Sequence, residues 1–230
     1  MIKNITRYQA ATALAALFHT IGLIGILYVD GNFFARSTVI NLLLMFALLV
    51  WTQKDRDSRF FFFFIIVFLS GIGVELIGVN TGALFGDYKY GNVLGPGIRG
   101  VPLIIGINWF VIIYCCGISI HNLLLKAIHR IGLEQGKKPL KLKAMSVIID
   151  GATLAVFFDW IMEPVAVKLN FWEWGRDGSV PGYNYFCWLM FSTILLTLFH
   201  IFKFDKQNKF AVNLLLIQLM FFLLLRTLLP

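Results

Sequence analysis

The sequence predicts an all-α, polytopic membrane helix bundle of about seven transmembrane helices, and three observations carry that reading. Hydrophobic residues make up 59% of the 230-residue chain, with mean hydropathy +0.80, above the roughly 45–50% apolar content of soluble domains. Charged residues are 14%, against about 25% in an average soluble chain. The apolar residues also fall into runs near the length, about 20 residues, that a helix needs to cross a bilayer. A net charge of +8 would suit nucleic acid, but the basic residues sit between the apolar runs, where a topology signal belongs. No nucleic-acid partner is expected.

The spans are expected near 8–29, 38–52, 60–79, 101–124, 144–166, 184–203 and 209–229. The first is too long for a signal peptide and lacks a small-residue cleavage site, so it reads as a span. The second, "TVINLLLMFALLVWT", is the shortest. The third opens with Phe60–Phe64, a run expected to face lipid or to pack. The fifth, "AMSVIIDGATLAVFFDWIMEP", ends in a proline. Pro164 lacks a backbone donor and disfavours αR at Glu163. The helix is therefore expected to kink or stop there, leaving a free carbonyl near Trp160. Only the tight turn "FDKQNK" separates the sixth and seventh spans, and the longest polar insert is "HRIGLEQGKKPLKLKA". There is no internal repeat, so residues 1–230 read as one integral membrane domain.

Seven spans place alternate loops on opposite sides. Fourteen of the twenty Lys and Arg residues fall with the N-terminus, the 53–59 and 125–143 loops and the 203–209 turn. The positive-inside rule then puts the N-terminus in the cytoplasm and the C-terminus outside, in a multi-pass protein of the cell membrane. The inserts 80–100 and 167–183 both fall on the outer side. Seven glycines between residues 78 and 100 give the first of them the turn content of a shaped re-entrant or lid loop.

Polar side chains within the spans gather at that outer depth. Glu75 lies near the end of span 3, Asn108 and Trp109 near the start of span 4, Asp159 and Glu163 at the end of span 5, Asn184 and Trp188 at the start of span 6, and Arg226 near the end of span 7. Ionisable groups inside a membrane are functional candidates. Asp159 and Glu163, four residues apart, share one helix face and repel unless one is protonated or a cation is near. Glu75 could instead pair with Arg99 or Arg226. Asp150, on the opposite face from Asp159, reads as structural or paired with a loop lysine. His19, in "LAALFHTIGL", reads as an interhelical hydrogen-bond partner or a substrate contact. Tyr88, Tyr90, Trp172 and Trp174 are candidates for an aromatic wall or for an interfacial belt. Cys115, Cys116 and Cys187 form no disulfide framework, and no Cys/His spacing suggests a metal.

Buried carboxyls with aromatic walls, and no metal, nucleotide or other cofactor motif, suit acid-initiated chemistry on an apolar substrate. A carboxyl among apolar groups favours its neutral form and could protonate a carbon–carbon double bond. Aromatic faces would stabilise the cation, and Asn108 or the second carboxylate could orient a water to capture it. A transporter would use a similar inventory, but it predicts polar residues across the whole bilayer, and the inner halves of spans 3, 4 and 7 read as bare. A retinal photoreceptor needs a lysine in mid-helix, and none is present.

The block "ELIGVNTGALFGDYKYGNVLG" with "GVPLIIGINW", and the block "DWIMEPVAVKLNFWEWGRDGSVPGYNYFCW", resemble the signature of the carotenoid biosynthesis membrane family that includes the CruF-type carotenoid 1′,2′-hydratases. The resemblance covers about residues 10–225. It implies hydration of the terminal double bond of an acyclic (ψ) end group, lycopene-like or γ-carotene-like, to a tertiary alcohol without a cofactor. It implies a carotenoid substrate, surrounding lipid and neighbouring enzymes of the same pathway. Glu75 and Asp159 are then the main acid candidates and Glu163 the third. Asn108, Trp109, Tyr88, Tyr90, Trp172, Trp174, Asn184, Trp188, His19 and Arg99 are the candidate substrate contacts. Cys187 departs from the family pattern, which has a glycine before the tryptophan. A carotenoid cyclase, which captures the same cation with an internal double bond, is the alternative activity.

Overall fold

The structure, a computed structural model, describes residues 5–131, 140–175 and 178–229. Of the charges counted for orientation, Lys3, Lys137, Lys138 and Arg176 lie outside them. In chain order the elements are α1 (Arg7–Tyr28), α2 (Gly31–Arg36), α3 (Thr38–Thr52), α4 (Ser58–Thr81), β1 (Tyr88–Tyr90), β2 (Gly97–Ile98) and β3 (Val101–Pro102). They continue with α5 (Ile104–Ile131), α6 (Leu140–Lys168), β4 (Trp172–Trp174), α7 (Gly182–Ile201) and α8 (Lys209–Leu228). With α2 and α3 taken together, seven helices among the described residues are long and apolar enough to cross a membrane.

The second crossing element begins earlier than its apolar run. The Asp30 side chain accepts from the Phe33 amide at 3.0 Å and so starts a helix at Gly31 that only Ser37 interrupts. A short polar N-cap satisfies amides that the helix itself leaves open. Asp57 starts α4 in the same way, through the Phe60 amide. Gly82 ends α4 at φ +66, where a left-handed residue suits glycine. The fourth span begins at Ile104 rather than near 101, because Val101 and Pro102 pair with β2.

Pro164 neither stops nor ends α6, which runs on to Lys168. The carbonyl that Pro164 cannot serve is that of Trp160, and Arg226 of α8 donates to it at 2.9 Å. The same guanidinium lies 4.1 Å over the Trp160 ring. A partner from the neighbouring helix thus replaces the missing bond, as proline within a span requires. Beyond Lys168, Asn170 takes φ +57, and the Asn170 and Phe171 amides return to the carbonyls of Val167 and Ala166. This Schellman closure sends the chain straight into β4.

β4 pairs antiparallel with β1, with Tyr88 opposite Trp174, Lys89 opposite Glu173 and Tyr90 opposite Trp172. The ladder extends through Gly91 N–H to Phe171 O and Gly175 N–H to Asp87 O. Gly91 sits so near the Asn170 carbonyl that a Cβ would collide with it. The inserts 80–100 and 167–183 therefore meet at one end of the bundle, the ribbon end. At the other end Gln53 donates to Asp205 O at 2.8 Å and Arg59 to Lys203 O at 3.1 Å. That contact joins two loops expected on one side.

α5 is the central helix; Trp109 to Cys116 are all buried, and it packs on α3, α4, α6, α7 and α8. Of the phenylalanine run, Phe60 and Phe63 are buried while Phe61 and Phe62 face outward. Phe60 packs edge-on against Phe110, Tyr114 and Phe204. Asp150 accepts from Ser146 one turn earlier, and no ion pair joins it to a lysine among the described residues. The first half of the last span is not bare: Asn213 donates to Thr12 of α1 at 2.9 Å.

Candidate active site

A two-residue period puts alternate strand side chains on opposite faces. In the β1–β4 ribbon, Lys89 and Glu173 point outward and form an ion pair of 2.6 Å. Tyr88, Tyr90, Trp172 and Trp174 point inward, over the three carboxyl groups that the spans carry to this depth. The tyrosines and tryptophans form a roof whose polar atoms all face down.

Glu75 Oε2 accepts from the Tyr88 hydroxyl at 2.5 Å and the Tyr90 hydroxyl at 2.8 Å. Its Oε1 accepts from Trp109 Nε1 at 3.0 Å. Burial first, then the neighbouring charges of Glu75 and Glu163, push both phenols well above the ordinary tyrosine range, so they stay protonated and donate. Glu163 Oε2 accepts from Trp172 Nε1 and Trp174 Nε1, each at 2.9 Å. Its Oε1 faces Asn184 Nδ2 at 3.4 Å. Indole N–H groups only donate, so both glutamates sit in sites built for acceptors. Asp159, 1% exposed, differs. Its Oδ2 accepts from Asn184 Nδ2 at 2.9 Å, and its Oδ1 is buried without a partner.

Glu75, Asp159, Glu163, Asn108, Trp109, Tyr88, Tyr90, Trp172, Trp174, Asn184 and Trp188 all line one cavity of about 30 Å³. That is room for a water molecule. Trp109 and Trp188 stack at 4.1 Å with their planes 9° apart and form one side of it. Ile105, Asn108, Met162 and Trp172 also line a second, largely apolar cavity of about 300 Å³. Its other walls include Phe18, Ile21 and Ile40, side chains that are themselves exposed on the flank of the bundle. The larger cavity thus runs from the lipid-facing flank to the carboxyl site.

Three expectations change. Glu75 pairs with neither Arg99 nor Arg226. Arg99 is exposed in the first insert at φ +47 and lines neither cavity, because β2 and β3 turn that segment away from the roof. Arg226 is held by Trp160. His19 is buried and lines the larger cavity rather than the carboxyl site; its Nδ1 bonds Ala15 O at 2.7 Å, one turn back on its own helix. Cys187 is fully buried, and its Sγ accepts from the Phe85 amide at 3.3 Å. It ties the first insert to α7, which continues unbroken through it. Asn41 and Gln218, which line the larger cavity, were not among the candidates. An uncharged amide within each apolar run was the available signal.

A sequence profile of the family described as "Carotenoid biosynthesis protein" matches residues 36–229. The chain is 28% identical over 143 residues to the bisanhydrobacterioruberin hydratase of Haloarcula japonica, a match covering 61% of this chain and 44% of that protein. The match thus spans less than half the length of this curated relative. No solved structure matches the chain.

Proposed function

The chain belongs to the carotenoid biosynthesis protein family, and from that premise we propose that it adds water across the terminal double bond of an acyclic carotenoid end group, lycopene-like or γ-carotene-like, to give a tertiary alcohol. The observation that carries the reading is the unpartnered Oδ1 of Asp159 beside a water-sized cavity that shares a wall with a long apolar one. The name of the Haloarcula japonica relative, a hydratase, supports the reaction class.

Of the three carboxyls, Glu75 and Glu163 have donors on both oxygens and serve as fixed acceptors. Asp159 has one oxygen free to carry a proton. We assign it as the general acid. The proton goes from Oδ1 to the less substituted carbon of the double bond, whose π electrons form the new C–H bond. The positive charge is left on the tertiary carbon. The faces of Trp109 and Trp188 stabilise that cation through their quadrupoles, and the fixed glutamates stabilise it electrostatically without reorganising. A water in the small cavity, oriented by Asn108, attacks the cation. Its surplus proton returns to Asp159, so acid and substrate stoichiometry balance with water as the only co-reactant. Cyclisation would begin with the same proton transfer. The room for water beside Asp159 favours capture by water.

In this reading the ribbon end faces outward from the cytoplasmic membrane, in keeping with the distribution of basic residues. The apolar cavity admits an end group laterally from the lipid while the rest of the polyene stays in the bilayer. Expression in bacterial hosts that accumulate lycopene or γ-carotene tests the activity. A product heavier by one water is expected. An isomer of unchanged mass would show a cyclase, and no product in either host would refute both.

A further inference from the structure

Asn184 stands in the first turn of α7, where its backbone N–H bonds the Pro181 carbonyl at 2.9 Å. The residue is 2% exposed, and its side chain lies between two carboxyls of α6 that are one helical turn apart. Nδ2 is 2.9 Å from Asp159 Oδ2 and 3.4 Å from Glu163 Oε1. A carboxamide nitrogen carries two hydrogens, so each carboxyl can receive one. The neighbours settle which end of the carboxamide points there. Turned round, Asn184 Oδ1 would face two acceptors and demand a proton on each.

Glu163 has three donors, the indoles of Trp172 and Trp174 on Oε2 and Asn184 on Oε1, which are the surroundings of a carboxylate. Asp159 has one donor, and no Lys, Arg or His among the described residues lines the cavity. Two adjacent charges without a cation are costly inside a membrane, so the pair holds one proton and Asp159 carries it. A protonated carboxyl accepts through its carbonyl oxygen. Oδ2 accepts from Asn184, so the O–H is Oδ1, which has no partner. The carboxyl torsion itself is broad and roughly two-fold. Without the amide, a half-turn would exchange the two oxygens and aim the O–H at Glu163 Oε1, on the same helix face. An O–H···O⁻ bond is short and strong and would withhold the proton from a substrate. We infer that Asn184 is a positioning residue that keeps the Asp159 proton on Oδ1 and denies it to Glu163. The inference rests on the assignment of Asp159 as the general acid and adds the group that holds this acid ready. It also links the acid to the roof, because the two β4 indoles hold Glu163, and Glu163 holds the amide.

Infrared spectra of the full chain in lipid nanodiscs, recorded alongside turnover of an acyclic polyene, test it. The wild-type minus Asp159→Asn difference isolates the carbonyl band of protonated Asp159, recognised by its shift in heavy water. In Asn184→Leu, measured against the Asn184→Leu/Asp159→Asn double variant, the carbonyl has lost its amide partner and the band should move. There kcat should fall about 10²-fold, while KM should change by less than about twofold. Asn184→Ser, which restores one hydrogen, should lie between the two in both readouts, and Asn184→Ala serves if the leucine variant does not fold. A band that stays in place would overturn the inference, since any loss of turnover would then be structural. A moved band with wild-type kcat would overturn it too, and so would a raised KM with unchanged kcat, the mark of a substrate contact. A band that moves in a protein that hydrates no polyene would leave the hold of Asn184 on the proton standing and refute the hydratase reading. No such band in the wild type would mean that Asp159 carries no proton, and would overturn both.

Discussion

Asp159→Asn separates a proton donor from a structural carboxyl. The amide oxygen can take the place of Oδ2 and keep the 2.9 Å bond from Asn184. The amide nitrogen then occupies the position of Oδ1, toward which no group donates. The exchange creates no donor–donor conflict, so the variant should insert and melt like the wild type. It removes the proton. A positioned general acid contributes about 10²–10⁴-fold, and at about 1.36 kcal/mol per tenfold its loss raises the barrier by about 2.7–5.4 kcal/mol. The assay is turnover of an acyclic polyene by detergent-solubilised protein, with product quantified by mass, alongside a melting curve from fluorescence-detected size exclusion. A variant that melts normally and retains more than a tenth of wild-type turnover would refute the assignment.

The two glutamates should respond differently to the same chemistry. In Glu163→Gln the new NH₂ must face an indole N–H or the Asn184 amide, neither of which accepts as placed. Stability should fall by about 1–3 kcal/mol, seen as a lower melting temperature. In Glu75→Gln the NH₂ can face Tyr88 and Tyr90, whose hydroxyls can accept. That variant should melt near the wild type yet lose turnover by about 10²-fold; a larger loss of stability than in Glu163→Gln would contradict the donor count. Tyr88 and Tyr90, with folded-state values raised above the unfolded value of about 10, contribute stability that is full below that pH and is lost as pH climbs beyond it. In the folded protein a spectrophotometric titration to about pH 11 should therefore have the same tyrosinate amplitude in wild type and in Tyr88→Phe/Tyr90→Phe; a smaller amplitude in the double variant would refute the burial argument.

Glu75, Asp159 and Glu163 were legible because an ionisable group in an apolar run is conspicuous, and seven alternating spans bring all three to one depth. Their partners were half legible. The aromatics could be counted, but the register that sets Tyr88 opposite Trp174 joins segments far apart in the chain, and no local pattern encodes it. Asn170 in the left-handed region, which turns α6 into β4, has no local signature stronger than any other asparagine. Pro164 was read as a breaker because the sequence does not reveal that Arg226, from the last helix, would occupy the Trp160 carbonyl. Arg99 carried a charge at the right depth, but its side chain is set by a loop conformation rather than by helical periodicity. Asn41 and Gln218 went unnoticed because neutral amides in a span signal less strongly than charges.

The ribbon also orders the birth of the protein. Glu75 leaves the ribosome ahead of every group that bonds it, and β4 emerges only after α6 is complete. Until Trp172 and Trp174 arrive, Tyr88 and Tyr90 have no strand to fix their register, and Glu163 has no indole donors. Early spans must therefore reach the bilayer with a carboxyl still unserved, a state that favours a delayed docking of α4. Chains halted before Trp172 would carry three acidic groups and no roof. Membrane quality control would meet them as insertion intermediates with polar groups exposed to lipid, long before any polyene could mark them as finished.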